Sequence, residues 1–326
     1  MISVGHRTGL FDVLAELPPG TAREIAEAAG LVPRYVREWL GAMTAGRIVE
    51  HDPDTGRFVL PPAHAARLTR AAGDENGAIR MQYVSILGAV EDRIVECFRS
   101  GGGVDYEAYP RFHQVQHEGT VAEMEANLLE LYLPLVPGLV EKMEAGSRVL
   151  DVGCGGGRPV TLMAEAFPRS RFTGVDIAEE AIAAAREEAE RRGLGNASFR
   201  TADAAEPVEE EAWDVITAFD AIHDLPAPAR VLEGIRTALG PGGIFFMLEP
   251  GASSRLQENL DHPMGPYLYT VSCLHCTTVS LAAGGPGLGA TLGRQKARSM
   301  LREAGFADPE LYPVPEDPTT EIHVGR

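Results

Sequence analysis

Gly153, Gly155 and Gly157 stand at alternate positions directly behind a short apolar run, in the segment RVLDVGCGGGRP of residues 148–159. The run has the composition of a buried parallel strand, and residues 159–167 have the apolar face of a helix. Since glycine lacks a Cβ, such a turn can adopt positive φ angles and let a ligand approach the amides at a helix N-terminus. The segment predicts a strand, a glycine turn and a helix that together hold a nucleoside-type cofactor.

The spacing of the glycines excludes a nicotinamide dinucleotide site. The fingerprint G-x-G-x-x-G would need glycine at the position of Arg158. A second apolar segment, 171–177, contains Asp176, and one βα unit fits between Asp151 and this residue. An acid at the end of the second strand of a doubly wound sheet can accept two hydrogen bonds from a ribose diol, so we assign that role to Asp176.

Three more segments are predicted as strands, and each is followed or preceded by a turn. They are 197–201, 213–219 and 243–249. Strands that alternate with helices predict a parallel sheet with helices packed on its faces. Ligands of such sheets bind at the carboxyl ends of the strands, so residues that follow these segments are candidates for a site.

The pattern D-x-G-x-G-x-G from Asp151 to Gly157 resembles motif I of the class I S-adenosylmethionine-dependent methyltransferases, and the position of Asp176 strengthens the resemblance. It implies an α/β fold, with a Rossmann-like seven-stranded methyltransferase sheet that residues 306–312 and 320–324 close as a reversed hairpin. It also implies S-adenosyl-L-methionine as the cofactor and S-adenosyl-L-homocysteine as its product.

The resemblance also supplies a set of cofactor contacts. The residues expected to bind the cofactor are Asp151, Gly153, Gly155, Gly157, Asp176, Ile177, Asp203, Ala204 and Phe219. In the resembled family, an acid at the position of Asp203 accepts a hydrogen bond from the adenine amine. Asp214, beside the strand residue Trp213, is predicted to have a structural role instead.

The first 60 residues have the pattern of a winged helix-turn-helix. Helical faces cover 8–16, 21–29 and 33–45, and residues 47–60 form two short strands around the turn DPDTG. Winged-helix methyltransferases usually carry another helix ahead of the first of these. An initiation site placed too late would explain why this sequence starts abruptly.

The charge of this unit argues against a nucleic acid partner. Residues 1–62 contain six arginines and no lysine against eight acidic residues, and the whole chain has a net charge of −18. Duplex binding requires a basic face that displaces counterions from the phosphates. We therefore expect no nucleic acid partner, and the resemblance implies that the winged helix supports a homodimer.

Composition favours a reducing compartment. The first 30 residues lack the basic start, apolar stretch and cleavage site of a signal peptide, and no run approaches the roughly 20 apolar residues of a membrane helix. The cysteines, Cys97, Cys154, Cys273 and Cys276, do not form a disulfide framework in a chain of 326 residues. These features predict a cytoplasmic protein without a membrane partner.

Three parts are expected along the chain. They are a winged-helix dimerisation domain in residues 1–75, a helical linker and lid in 76–146, and a methyltransferase domain in 147–326 with an insertion at 250–293. Helical periodicity covers 78–98 and 120–143 in the linker, and 264–282 has helical length in the insertion.

Aromatic, imidazole and thiol side chains in the lid and the insertion are candidates for the acceptor pocket, because insertions at the carboxyl ends of strands build substrate pockets. They are Tyr106, Tyr109, His113, His117, Tyr267, Tyr269 and Cys273. His113 and His117 would share a helix face, but without a third ligand they do not predict a metal site. The single pair Cys273 and Cys276 predicts core thiols, or soft ligands for an acceptor or a metalloid, rather than a zinc site.

The sulfonium methyl of the cofactor needs little activation, so the main tasks are to hold an acceptor in line and to remove its proton. In the segment AIHDL, His223 and Asp224 occupy the place where winged-helix O-methyltransferases have a His-Asp dipeptide. The resemblance implies that His223 is the base and that Asp224 orients it or caps the next helix. Leu225 and Pro226 replace the Trp and second acid that usually follow, which leaves open a bracing role for His223 at the cofactor loop.

Together these features predict S-adenosylmethionine-dependent methyl transfer to an oxygen or sulfur nucleophile of a small molecule. A thiol acceptor would not need a strong base once its pKa is lowered. The alternatives are an enzyme dedicated to small thiols or sulfides and a cofactor-responsive winged-helix transcriptional regulator without turnover.

Overall fold

The computed structural model describes residues 1–206 and 212–326. These residues form two compact units, the first made of Met1–Gly88 with Arg111–Ala126 and the second of Ala89–Pro110 with Asn127–Arg326. The segment 76–146, predicted as one linker and lid, is thus divided between both units.

The first unit consists mainly of short helices around an aromatic core. Its α-helices are Ile2–Arg7, Leu10–Glu16, Ala22–Ala29, Pro33–Ala45, Pro62–Leu68, Gly77–Arg80, Tyr83–Gly88 and Phe112–Asn127, and a 3-10 helix covers Arg70–Glu75. Thr21 starts the third helix with a capping box, in which its hydroxyl accepts from the amide of Glu24 and the Glu24 carboxylate accepts from the amide of Thr21. The rings of Phe11 and Trp39 pack edge to face in the core.

Strands β1 (Glu50–Asp52) and β2 (Arg57–Val59) form an antiparallel hairpin after the helix Pro33–Ala45. Helices followed by this hairpin give the winged helix-turn-helix that the sequence predicts. The helix Ile2–Arg7 was not predicted. Its Gly5 lies so close to Trp39 that an added Cβ would come within 2.4 Å of the indole, so tertiary packing rather than helix propensity holds this segment.

A seven-stranded sheet forms the centre of the second unit. Its strands are β3 (Arg148–Val152), β4 (Arg171–Asp176), β5 (Ala197–Thr201), β6 (Trp213–Phe219), β7 (Leu239–Pro250), β8 (Glu310–Pro313) and β9 (Thr320–Gly325). The strand order is β5-β4-β3-β6-β7-β9-β8, and β9 alone runs antiparallel to its neighbours. This is the predicted Rossmann-like sheet with its reversed hairpin. The order reverses between β3 and β6, and ligands of open α/β sheets bind at such a switch point.

Neighbouring residues of β7 such as Phe245 and Phe246 point to opposite faces of the sheet, and both are fully buried. Helices therefore cover both faces of the sheet. The α-helices of this unit are Glu91–Ser100, Leu139–Ala145, Arg158–Ala166, Glu179–Arg192, Pro228–Ala238, Gly265–Val271, Thr277–Ala282 and Gly293–Glu303. The 3-10 helices are Tyr106–Ala108, Leu133–Leu135, Ile222–Asp224 and Leu256–Glu258, and π-helical turns cover Leu128–Tyr132 and Ser272–Cys276. Within the two described ranges, none of the helices combines the length and the apolar character needed to cross a membrane.

Residues 78–98 and 120–143 are mostly helical, as their periodicity predicts, but neither segment is one continuous helix. The first divides into three shorter helices. The second is broken over 128–138, where Pro134 has no amide hydrogen to donate and Gly138 takes a φ of 82°.

We expect Gly157→Ala to lower the free energy of unfolding by about 2–5 kcal/mol, since the left-handed conformation costs an alanine about 1–2 kcal/mol and overpacking about 1–3 kcal/mol. Gly157 has a φ of 70°, and a Cβ there would lie 2.4 Å from Cε1 of Phe199. Gly193→Ala is the matched control, because Gly193 has the same φ of 70° but open space at its Cβ position. Urea unfolding of both variants measures the difference. A loss in Gly157→Ala no larger than that in Gly193→Ala would contradict this packing argument.

Candidate active site

The glycine turn after β3 has the backbone conformation that the sequence predicts. Gly153, Gly155 and Gly157 have φ angles of 74°, 50° and 70°. The amides of Gly153 and Cys154 donate to the carbonyl of Val175 at 2.9 and 3.0 Å, which ties the turn to the end of β4. The turn leads directly into the helix Arg158–Ala166.

Asp176, at the end of β4, holds this turn with its carboxylate. Its Oδ2 accepts from the amide of Gly155 at 2.8 Å and its Oδ1 accepts from the amide of Ala178 at 2.8 Å. An ionised carboxylate can accept about four hydrogen bonds, so each oxygen keeps a lone pair for a ligand. The side chain that we assign to the ribose thus also fixes the loop beside it.

Asp151, at the end of β3, is almost completely buried. Its Oδ1 accepts from the hydroxyl of Thr217 at 2.7 Å, and its Oδ2 has no hydrogen-bond partner within the described part of the chain. Burial raises the pKa of Asp151 to about 7, and the nearby Asp176 carboxylate adds to this effect. A buried carboxyl with a free oxygen is suited to a ligand group that is cationic or can donate a hydrogen bond.

The remaining cofactor candidates follow the ends of neighbouring strands. Ile177 is 73% exposed after β4, and Asp203 is exposed after β5, where its Oδ1 accepts from the amide of Ala205 at 2.9 Å. Ala204 is half-buried beside it, and Phe219 ends β6 with its ring 5.6 Å from that of Phe246. The structure thus brings all nine predicted cofactor residues to the carboxyl ends of β3, β4, β5 and β6. Their contacts with a cofactor stay a prediction.

His223 lies in the 3-10 helix Ile222–Asp224 behind β6 and is buried. Asp220 takes a left-handed φ of 52° at the end of β6, and this bend returns the chain toward β7. His223 Nδ1 then lies 2.5 Å from Oε2 of Glu249, whose Oε1 accepts from the amide of Ile222 at 2.9 Å. Glu249 therefore fixes the ring orientation, with the Nδ1 hydrogen donated to the carboxylate.

The other ring nitrogen faces Asp224. His223 Nε2 lies 3.1 Å from Oδ1 of Asp224, but the angles are too poor for a hydrogen bond and Oδ1 has no other partner in the described ranges. Burial by itself would lower the pKa of His223, but the carboxylates of Asp224 and Glu249 outweigh it and raise that pKa well above the usual value. Buried His223 thus lies between the carboxyl groups of buried Glu249 and half-buried Asp224.

Sequence reasoning missed Glu249 and did not distinguish Cys276, which lies in this site, from Cys273. A ring nitrogen of His223, a carboxylate oxygen of Asp224 and Sγ of Cys276 lie within 4.8 Å of one another. Burial raises the pKa of the Cys276 thiol to about 12. Glu249 could have been found from the sequence, because it ends a predicted strand, and the strands β3 to β6 all carry candidates at that edge of the sheet.

The acceptor-pocket candidates separate into two groups. Tyr106 and Tyr109 pack edge to face against His275, with ring centroids 5.1 and 4.9 Å away, and the Tyr109 hydroxyl donates to the carbonyl of Leu274 at 2.6 Å. His275 belongs to the π-turn Ser272–Cys276, which also carries Cys276 to His223. The structure therefore brings both tyrosines to the element that completes the His223 site.

The other candidates differ in their exposure. The Cys273 side chain is exposed, whereas its neighbour in the C-x-x-C pair, Cys276, is buried. Tyr269 accepts a hydrogen bond from Nδ2 of Asn259 at 2.9 Å, and Tyr267 is half-buried. His113 and His117 are exposed on the helix Phe112–Asn127 of the first unit. Their assignment to the pocket is a prediction that rests on the sequence alone.

A second buried carboxyl lies beside Glu249 in the sheet. Glu321 pairs with Glu249 across β7 and β9, and its own ion pair is with Arg294. Burial raises the pKa of Glu321 to about 7 from its ordinary 4.5. Between these two values the folded chain holds a proton that the unfolded chain releases, so stability falls as the pH rises.

We therefore expect Glu321→Gln to be less sensitive than the wild type to a rise from pH 5 to pH 8, with a difference of about 1–3 kcal/mol in the free energy of unfolding. Burial also lowers the pKa of His323 to about 4, which adds the opposite slope below its ordinary 6.5, but the wild type and the variant share that effect. Urea unfolding at pH 5 and pH 8 measures the free energy of unfolding of each protein. Glu187→Gln, at an exposed position, is the control, and equal slopes in all three proteins would contradict the expectation.

Two family models match the chain. Residues 143–305 match a model described as a methyltransferase domain, and residues 1–70 match an Rv2258c-like winged HTH domain. The first of these spans half of the chain, so the chain belongs to this methyltransferase family. The match confirms the predicted class of protein, an S-adenosylmethionine-dependent methyltransferase with an N-terminal winged helix.

Curated relatives and solved structures agree with this assignment. The ubiquinone biosynthesis O-methyltransferase of Acinetobacter baylyi is 35% identical over 107 residues, which are 31% of this chain and 43% of that protein. The chain thus spans less than half the length of the first curated relatives it matches. PigF with SAH has a TM-score of 0.75 at 17% identity, over 100% of this chain and 94% of that one. Human N-acetylserotonin methyltransferase in complex with SAM has a TM-score of 0.70 at 16% identity, over 100% and 92%. At these identities the two structures support the fold alone.

Proposed function

We propose that the protein transfers the methyl group of S-adenosylmethionine to a hydroxyl oxygen of a small molecule. The observation that carries this proposal is the set of Asp224, His223 and Glu249. His223 and Asp224 follow β6 and Glu249 lies at the end of β7, at the same edge of the sheet as the glycine turn, with His223 and Glu249 buried and Asp224 half-buried. A hydroxyl acceptor must lose its proton as it attacks carbon, and an oriented imidazole beside a carboxylate can take that proton. The preference for oxygen over sulfur rests on this set.

The residues at the ends of β3 to β5 fit an adenosyl cofactor, which supplies an electrophilic methyl group when it is bound. The glycine turn brings the backbone close to the ends of the strands without intervening side chains, and it leads directly into the N-terminus of the helix Arg158–Ala166. Asp176 keeps lone pairs for a ribose diol, and the partnerless Oδ2 of Asp151 can accept from a charged amine. Ile177 offers an exposed apolar side chain beside them, and Asp203 an exposed acceptor for an adenine amine.

The acceptor side is built by Tyr106, Tyr109 and the π-turn that carries His275 and Cys276. These residues hold the acceptor in line with the methyl group, and Asp224 and His223 receive its proton. Glu249 keeps the imidazole in one orientation during that transfer, because both of its oxygens are already bonded.

We also propose that the winged helix supports a homodimer, since the first unit exposes Val32 and Tyr35 and carries no excess of positive charge.

Incubation with methyl-labelled S-adenosylmethionine and panels of phenols, other hydroxyl compounds and thiols tests the proposal. We expect label in one or more hydroxyl compounds, with S-adenosylhomocysteine as the second product. Label in thiols alone would contradict the choice of oxygen. Cofactor binding without transfer to any acceptor, together with retention of duplex DNA at moderate salt, would instead support a regulator.

A further inference from the structure

We infer that His223, Asp224 and Cys276 form a binding site for a borderline or soft divalent cation of the Zn²⁺ type, and that a cation there inhibits methyl transfer. Nitrogen, oxygen and sulfur ligand atoms of these three residues lie within 4.8 Å of one another. The part of the inference that concerns inhibition rests on the proposed function. The part that concerns binding does not.

The distance between the imidazole nitrogen and the carboxylate oxygen fits the edge of a tetrahedral site. Zinc binds imidazole nitrogen and carboxylate oxygen at about 2.0–2.2 Å, which places two such atoms roughly 3.3 Å apart along a tetrahedral edge. Nε2 of His223 and Oδ1 of Asp224 are 3.1 Å apart. Their angles do not make a hydrogen bond, and Oδ1 is a buried atom without a hydrogen-bond partner in the described ranges. Buried polar atoms almost always have a partner, and a cation between these atoms would supply one.

Glu249 already prepares His223 for this role. A histidine that binds a metal through one nitrogen usually donates the hydrogen of the other to a carboxylate, which fixes the ring and its tautomer. Nδ1 of His223 makes that contact with Oε2 of Glu249 at 2.5 Å, and the backbone amide of Ile222 holds the other oxygen of Glu249. Nε2 is therefore the nitrogen left for a ligand on the side of Asp224 and Cys276.

The kind of cation follows from the donor atoms. A cysteine sulfur with an imidazole and a single carboxylate favours Zn²⁺ and related metals, whereas Mg²⁺ and Ca²⁺ prefer sets of oxygen ligands. On binding, the S–H bond of Cys276 breaks, sulfur gives its electron pair to the metal, and the proton passes to solvent. The ion would occupy Nε2 and Oδ1, the atoms that the proposed reaction needs for the acceptor's proton. Inhibition follows from this competition.

Co²⁺ is a suitable probe because its bond to a thiolate gives a charge-transfer band in the near ultraviolet. We expect the untagged wild-type protein to bind one Co²⁺ per chain with this band. Cys273→Ser is the matched control, since that thiol is exposed three residues away, and it should behave as the wild type. Cys276→Ser should lose the band, and Glu249→Gln should bind Co²⁺ roughly 10–100-fold more weakly. An unchanged band in Cys276→Ser, or a band that is lost in Cys273→Ser, would overturn the site.

The inhibitory role is tested separately, by comparing the rate of methyl transfer by each protein in the presence of Zn²⁺ with its rate in the absence of Zn²⁺. We expect inhibition of the wild type and of Cys273→Ser that a chelator reverses, and a higher inhibitory concentration for Cys276→Ser. S-adenosylhomocysteine affinity reports whether each variant is folded. Co²⁺ binding without inhibition by Zn²⁺ would overturn the inhibitory role. Failure of the proposed function would appear differently, as absent methyl transfer in metal-free wild type, and the Co²⁺ titration would then decide the site by itself.

Discussion

Asp176→Ala is expected to weaken the binding of S-adenosylhomocysteine by about 100-fold or more. Hydrogen bonds to a charged group contribute about 1.5–3 kcal/mol each, and tenfold in affinity corresponds to about 1.4 kcal/mol. The substitution removes the acceptor for the ribose and releases the amides of Gly155 and Ala178 that keep the glycine turn in place. Isothermal titration calorimetry measures the change.

Two further variants make this test specific. Asp176→Asn keeps one oxygen that can hold a loop amide, so its affinity should lie between those of the wild type and Asp176→Ala. Asp214→Asn is the control, because Asp214 accepts from the amide of Arg148 at the amino end of β3 and should leave the affinity unchanged. Unchanged affinity in folded Asp176→Ala would contradict the assignment of this residue to the cofactor.

His223→Ala is expected to lower kcat for a hydroxyl acceptor by about 100- to 10,000-fold, the range that general base catalysis contributes. The affinity for S-adenosylhomocysteine should stay near that of the wild type, because Asp176 and the glycine turn do not depend on the imidazole. For a thiol acceptor the loss should be mild, since a thiol ionises more readily. Initial rates at saturating cofactor measure the effect.

The controls for His223 separate proton transfer from packing. Glu249→Gln retains the size of the side chain but not its charge, so it should lower kcat less than His223→Ala does. His262→Ala removes an imidazole of the same unit that bonds to the carbonyl of Pro318, and it should have little effect. A kcat for His223→Ala within about twofold of the wild type, on a hydroxyl acceptor, would remove this residue as the base.

The central strands could be predicted in detail because they are buried on both faces. Strand β6 covers the predicted residues 213–219, since a largely apolar run between polar turns identifies such a strand. The helix Pro33–Ala45 also matches its prediction, with Pro33 in its first turn and Gly46 behind it. Local sequence decides these elements, so no tertiary contact was needed to find them.

The parts of the site that the sequence did not reveal depend on tertiary packing. The sequence does not distinguish Cys273 from Cys276 as a site residue. The π-turn Ser272–Cys276 buries the Cys276 thiol beside His223 and leaves the Cys273 thiol exposed. Such a turn has no clear sequence signal. A buried acid such as Glu249 likewise resembles an ordinary strand end until its distance to His223 is known.

Calorimetric titration of the wild-type protein with S-adenosylhomocysteine, beside an identical titration with NAD⁺, tests the central claim most directly. We predict a single site per chain for S-adenosylhomocysteine and no heat of binding for NAD⁺. Saturable binding of NAD⁺ with none of S-adenosylhomocysteine or S-adenosylmethionine would contradict the claim that the turn at Gly153–Gly157 holds an adenosyl sulfonium cofactor.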